Sequence, residues 1–172
     1  MATYVMIHGA GSSVWYWHLV APELQARGHH VVAVDLPCDD DSAGLSEYAD
    51  TVVDAIAGGV DPSNRGDLAL VAQSLAGFTA PLVCDRLPVD LLVLVAAMVP
   101  LPGESPGEWW ANTGHEQAQR EQAEREGRNA DDDDLATFFL HDLPPELAAG
   151  QRSSQNAWMP TALGGRARAA RT

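Results

Sequence analysis

Apolar positions fall into short continuous blocks that alternate with helix-spaced segments as far as residue 97. Thr3 to Ile7, Val31 to Asp35, Leu68 to Ala72 and Leu91 to Ala97 have strand length and carry apolar side chains at successive positions. Unbroken apolar strands need burial on both faces, which a parallel sheet between helical layers provides. Between them, Trp15 to Arg27 reads as a helix, with Trp15, Leu19 and Leu24 near one face and a kink or restart at Pro22. Ser46 to Ala57 places Tyr48, Val52, Val53 and Ile56 on one face, with Ser46 as its cap and Gly58 and Gly59 as its stop. Leu75 to Arg86 is a third helix. The pattern predicts an α/β fold: a parallel sheet of about four strands flanked by helices.

The character changes after Pro100. Leu101 to Gly107 reads as a loop and Trp109 to Arg128 as a charged helix; Asp131 to Asp134 precede an apolar patch, Leu135 to Leu140. Residues from Gly164 onward carry no hydrophobic pattern, and a disordered tail over 164–172 is expected.

Composition narrows the function classes. Net charge is −14, and all ten basic residues are arginine, which argues against a nucleic-acid partner and against anionic membrane surfaces. No apolar run approaches the ~18 residues that a membrane span requires, and no secretory pattern opens the chain, so a cytoplasmic location is the expectation. Cys38 and Cys84 lack metal spacing and read as free thiols. The Asp39–Asp41 and Asp131–Asp134 runs lack the alternation of a calcium loop, so no metal and no cofactor is expected.

Chemistry concentrates at Leu70-Val71-Ala72-Gln73-Ser74-Leu75-Ala76-Gly77. A strand passes into a helix through a tight turn with serine at its apex and small residues two positions away on either side. This is the layout of a nucleophile elbow, with Ala72 and Ala76 where glycine is usual. Ser74 is the candidate nucleophile. The Leu75 amide, at a helix N-terminus, is one candidate oxyanion donor; the Ala10 amide, in the turn after the first strand, is the other. Trp109, Trp110, Phe138 and Phe139 are candidates for an apolar acyl pocket, with simple packing the alternative.

At this point the sequence resembles the α/β-hydrolases of the plant methyl esterase and hydroxynitrile lyase lineage and their bacterial esterase relatives. The resemblance is carried by Val5 to Gly11, Trp15-Tyr16-Trp17, Leu24, Gly28 to Pro37, Val71 to Gly77 and Leu92 to Ala97, and it covers about residues 3 to 150. It implies a hydrolase core over 1–100 and a helical cap segment over 101–163, entered at Pro102 to Trp110. It also implies a carboxylesterase-like serine hydrolase acting on small apolar esters, with His8, Gly9, Gln73 and Trp109 lining the substrate. His8 is implied as a turn or substrate-lining residue rather than a base.

In that family an Asp and then a His follow the cap. Residues 151 to 172 contain neither Asp nor His, and the expectation is a C-terminally incomplete chain with impaired catalysis. His141, beside Asp142, and His115 are the candidates for a substitute base. The alternative is a non-catalytic protein that binds a small apolar ligand or a protein partner. Leu91 to Val95, left as an apolar sheet edge, invites homo-oligomers. Lyase chemistry on cyanohydrins is a third reading, and it also needs the base.

Overall fold

A computed structural model describes residues 1–61, 63, 66–127, 142–145 and 147. The chain forms β1 (Ala2–Ile7), a 3-10 turn (Val14–Trp17), α1 (Val20–Ala26), β2 (His30–Val34), α2 (Leu45–Gly59), β3 (Asp67–Gln73), α3 (Ala76–Cys84), β4 (Leu91–Val95), α4 (Pro106–Thr113) and α5 (His115–Glu126). The strands make one four-stranded sheet in the order β2-β1-β3-β4, and every pairing is parallel.

Alternation along the central strands distributes side chains to two cores. Val5 and Ile7 of β1 join Leu68, Leu70 and Ala72 of β3 beneath α2 and α3, which contribute Ala49, Val52, Ala76, Ala80 and Val83. On the opposite face Met6 and Val71 pack with Trp17, bordered by Leu24 of α1. Each fully buried large aliphatic side chain contributes about 1.5–3 kcal/mol. The two central strands therefore anchor both layers at once.

Several local expectations change. The predicted helix over 15–27 is a 3-10 turn followed by a separate α1. Pro22 occupies α1's first turn, where its missing N–H has no helical acceptor to lose, so it kinks nothing. α2 starts at Leu45 after Gly44, not at a Ser46 cap: the Gly44 amide donates to Glu47 Oε2 at 2.8 Å. The helix ends at Gly59, the second of the two glycines expected to stop it. β4 ends at Val95 because Ala96 takes a φ of 43°. The charged segment after Pro106 is two helices, divided at Gly114 with φ 64°. Arg120 pairs with Glu116 along α5.

Among the described residues β4 is the outer strand of the sheet. Leu91 and Leu94 are 54% and 45% exposed, so the expected apolar edge is present. Asp131 to Asp134, Phe138, Phe139, His141 and residues 164–172 lie outside the described residues.

His8 ties the ends of β1 and β2 together. It is completely buried. Its Nε2 accepts the Leu36 amide at 3.1 Å, and its Nδ1 lies 2.8 Å from the Gly9 carbonyl oxygen. A carbonyl only accepts, so Nδ1 carries the proton and the ring is neutral. Burial pushes the His8 pKa below its ordinary value; the Gly9 carbonyl and Asp35, 3.5 Å from Nε2, oppose that only in part. The unfolded chain then binds this proton more readily than the folded chain does. Stability from His8 is complete above about pH 6.5 and is lost as pH falls below it. The thermal midpoint should drop between pH 7 and pH 5, and the drop should be smaller in His8→Gln. Calorimetry across that range, with parent and variant in parallel, measures the difference.

Candidate functional site

The strand order reverses direction between β1 and β3, since the chain leaves β1 for one side of the sheet and returns to β3 on the other. Such a switch point opens a crevice beyond the carboxyl ends of the strands. The turn after β1 and the turn after β3 both project there, and they are packed together. The Gly9 amide donates to Gln73 Oε1 at 2.8 Å. A Cβ on Gly9 would lie 2.4 Å from that oxygen and 2.7 Å from Ser74 Cβ, so only glycine fits.

Ser74 sits at the apex of the second turn with φ 53°, a left-handed conformation that L residues avoid. Its backbone is fully engaged. The Ser74 amide donates to Val95 O at 3.2 Å, and its carbonyl accepts from Gly77 N at 3.1 Å and Met98 N at 2.9 Å. Leu75, in helical conformation, caps α3. Among the described residues the Ala10 and Leu75 amides donate to no backbone or side-chain acceptor. Both residues border one narrow cleft.

That cleft also meets Cys38, Tyr48 and Thr79, which sequence reasoning did not assign to the site. Cys38 and Tyr48 hydrogen-bond to each other. Burial raises both pKa values, for Tyr48 with the Cys38 contact adding to it, so the thiol stays protonated and is a poor nucleophile. Thr79 is buried, and its hydroxyl has no partner among the described residues. The signal available in sequence was the i,i+4 spacing of Leu75 and Thr79, which puts both on one helix face.

The other predicted residues are placed as follows. Gln73 braces the Gly9 amide. Trp109 donates from Nε1 to Val99 O at 3.2 Å, which ties α4 to the segment next to Met98. Its ring meets Trp110 edge-on, and Trp110 in turn carries the His115 ring at 4.1 Å. Among the described residues no imidazole or carboxylate hydrogen-bonds to the Ser74 hydroxyl. His8 is at the site but its Nε2 lone pair is occupied by Leu36 N–H. His18 directs Nδ1 to Trp15 O at 2.7 Å and stacks on Trp15. No group of three His, Cys, Asp or Glu side chains among the described residues is placed to hold a metal ion. No helix among them is long and apolar enough to cross a membrane.

Comparison with known proteins agrees with this geometry. The model of the alpha/beta hydrolase family matches residues 4–171. Methylesterase 3 of Arabidopsis thaliana is 30% identical over 116 residues, which is 62% of this chain and 43% of the plant protein. Methylesterase 7 of the same plant is 33% identical over 106 residues, 56% of this chain and 40% of its own length. The chain thus spans about two fifths of the length of these relatives. Among solved structures, an extracellular alpha/beta-hydrolase from a Paenibacillus species superposes with a TM-score of 0.63 at 20% identity, covering 94% of this chain and 69% of the other. An all-parallel sheet, a serine at the turn after β3 and a family match over nearly the whole length lead to one assignment: the chain belongs to the alpha/beta hydrolase family.

Proposed function

We propose that this chain carries the nucleophile and oxyanion half of a serine esterase acting on small carboxylic esters. The observation that carries the reading is the pair of undonated amides, Ala10 and Leu75, bordering one cleft beside the strained Ser74. The methylesterase relatives point to simple esters as the substrate class.

In this reading Ser74 Oγ attacks the ester carbonyl carbon and the carbonyl oxygen takes the negative charge. The Ala10 and Leu75 N–H groups donate to that oxygen, with the N-terminus of α3 adding its positive end. Collapse of the intermediate expels the alcohol and leaves an acyl-serine, which water then hydrolyses. Each oxyanion donor is worth about 2.7–4 kcal/mol in the transition state. Proton removal from Ser74 is the weak step. His8 does not serve, because its Nε2 already accepts from Leu36. The described part of the chain offers no other base to the hydroxyl, and without one a serine is a poor nucleophile. Oxyanion stabilisation and binding alone support a residual ~10³–10⁴-fold acceleration over water.

Hydrolysis of a short activated ester should therefore be slow, at most about 10⁴-fold above the uncatalysed rate, and an acyl adduct, read by mass spectrometry, should form on the parent and not on Ser74→Ala. His115→Ala should hydrolyse within twofold of the parent, because its ring rests on Trp110 rather than on the serine. An adduct equally abundant on Ser74→Ala, or none on the parent, would overturn the enzyme reading. A fall in His115→Ala would identify His115 as a base.

A second reading draws on β4. Leu91, Leu94 and Val95 are exposed on β4, whose outer edge pairs with no strand among the described residues and which carries no Lys or Pro, the usual guards against pairing with another chain. Self-association through this edge predicts a sedimentation coefficient that rises with concentration, and a Leu94→Lys chain that remains monomeric. Concentration-independent sedimentation of the parent removes this reading.

A further inference from the structure

Two non-glycine residues among those described have positive φ: Ser74 and Ala96. They belong to one hydrogen-bonded unit. Val95, just before Ala96, pairs with Gln73 in the sheet, and its carbonyl accepts the Ser74 amide at 3.2 Å. Met98, just after the corner, donates its amide to the Ser74 carbonyl at 2.9 Å. Both backbone polar groups of Ser74 are thus bonded to residues that flank Ala96. An extended residue at 96 would carry the chain onward along β4 and take Met98 away from the serine. The left-handed corner brings it back. Gly77 leaves the room for this return, since a Cβ there would lie 1.9 Å from Met98 O and 3.2 Å from Ala97 Cβ. Ala96 itself is exposed, so the conformation is imposed through the backbone and not by packing of its methyl group. Strained residues of this kind persist only where the surroundings over-determine them, and they gather at functional sites.

We infer that Ala96 is a positioning residue for Ser74: its left-handed corner sets Val95 O and Met98 N–H as a two-point clamp that fixes the direction of the serine hydroxyl. The inference rests on the reading of Ser74 as a nucleophile. It requires nothing of the side chain at 96 except tolerance of positive φ. Asn and Gly have that tolerance, and a β-branched Val does not.

The test combines the labelling rate of Ser74 by a fluorophosphonate, in which the Oγ–P bond forms, fluoride leaves and the hydroxyl proton passes to water, with amide hydrogen exchange at Ser74 and Met98. Ala96→Val should label at least tenfold more slowly and exchange both amides at least tenfold faster, with its far-UV spectrum retained. Ala96→Asn and Ala96→Gly should label within threefold of the parent and exchange no faster. Should Ala96→Val fail to fold, Ala96→Asn carries the test: slower labelling or faster exchange in that variant overturns the clamp. Parent-like labelling and exchange in a folded Ala96→Val also overturns it, as does an equal loss in all three variants. A parent that labels no faster than Ser74→Ala overturns the nucleophile reading, and the chemical role of Ala96 with it. Unchanged exchange in Ala96→Val beside a reactive parent overturns the clamp alone.

Discussion

Because β1 and β3 lie side by side and parallel, buried on both faces, their carboxyl ends must emerge together between the helical layers. The arrangement at Ser74 depends on that constraint. The register pairs Ile7 with Ala72, so the turn beginning at His8 and the turn beginning at Gln73 start at the same level of the sheet. Two turns so close leave no space for a side chain between them, which is why position 9 is glycine. The same closeness lets the Gln73 side chain satisfy the Gly9 amide, while the next amide along, Ala10, has no acceptor among the described residues.

The strain at Ser74 is the counterpart of that packing. A left-handed residue costs roughly 1–2 kcal/mol, a sum easily offset by the two buried cores on either side of β3. The cost is localised where the chain must leave a strand and enter a helix within a few residues. What the conformation supplies is direction: α3 starts at once, with Leu75 as its cap, and Leu75 and Ala76 border the cleft. His8 completes the floor as a neutral ring, held so by two backbone partners and by burial. A neutral imidazole there leaves the backbone amides as the source of positive potential at the crevice.

Most of this was legible in the sequence because it is local. The strand blocks, the glycine turn after Ile7 and the small residues about Ser74 are each contained within a few positions, and the expected sheet and helical layers are observed. The errors came where tertiary contacts overrode propensity. Ala97 looked like strand, but the chain turns at Ala96 to reach Ser74, a bond between distant segments that no periodicity records. Thr79, Tyr48 and Cys38 border the cleft because α2, α3 and the segment after β2 converge on it, and convergence cannot be read from any one of the three.

The split between the amides that border the cleft and the base that no described residue supplies to Ser74 follows from the same distinction. Stabilising an oxyanion takes only backbone amides in the right turns, and turns are specified by neighbours in sequence. Moving a proton takes a side chain of suitable pKa brought within hydrogen-bond reach, which is a long-range demand on the fold. The first requirement can be met by β1, β3 and their turns without reference to the rest of the chain. The second can fail while every local feature of the elbow stays intact. A serine in this position is therefore judged by comparing variants of its own turn against a single electrophile, because the supply of a base is the same in all of them and only the geometry that these strands create differs.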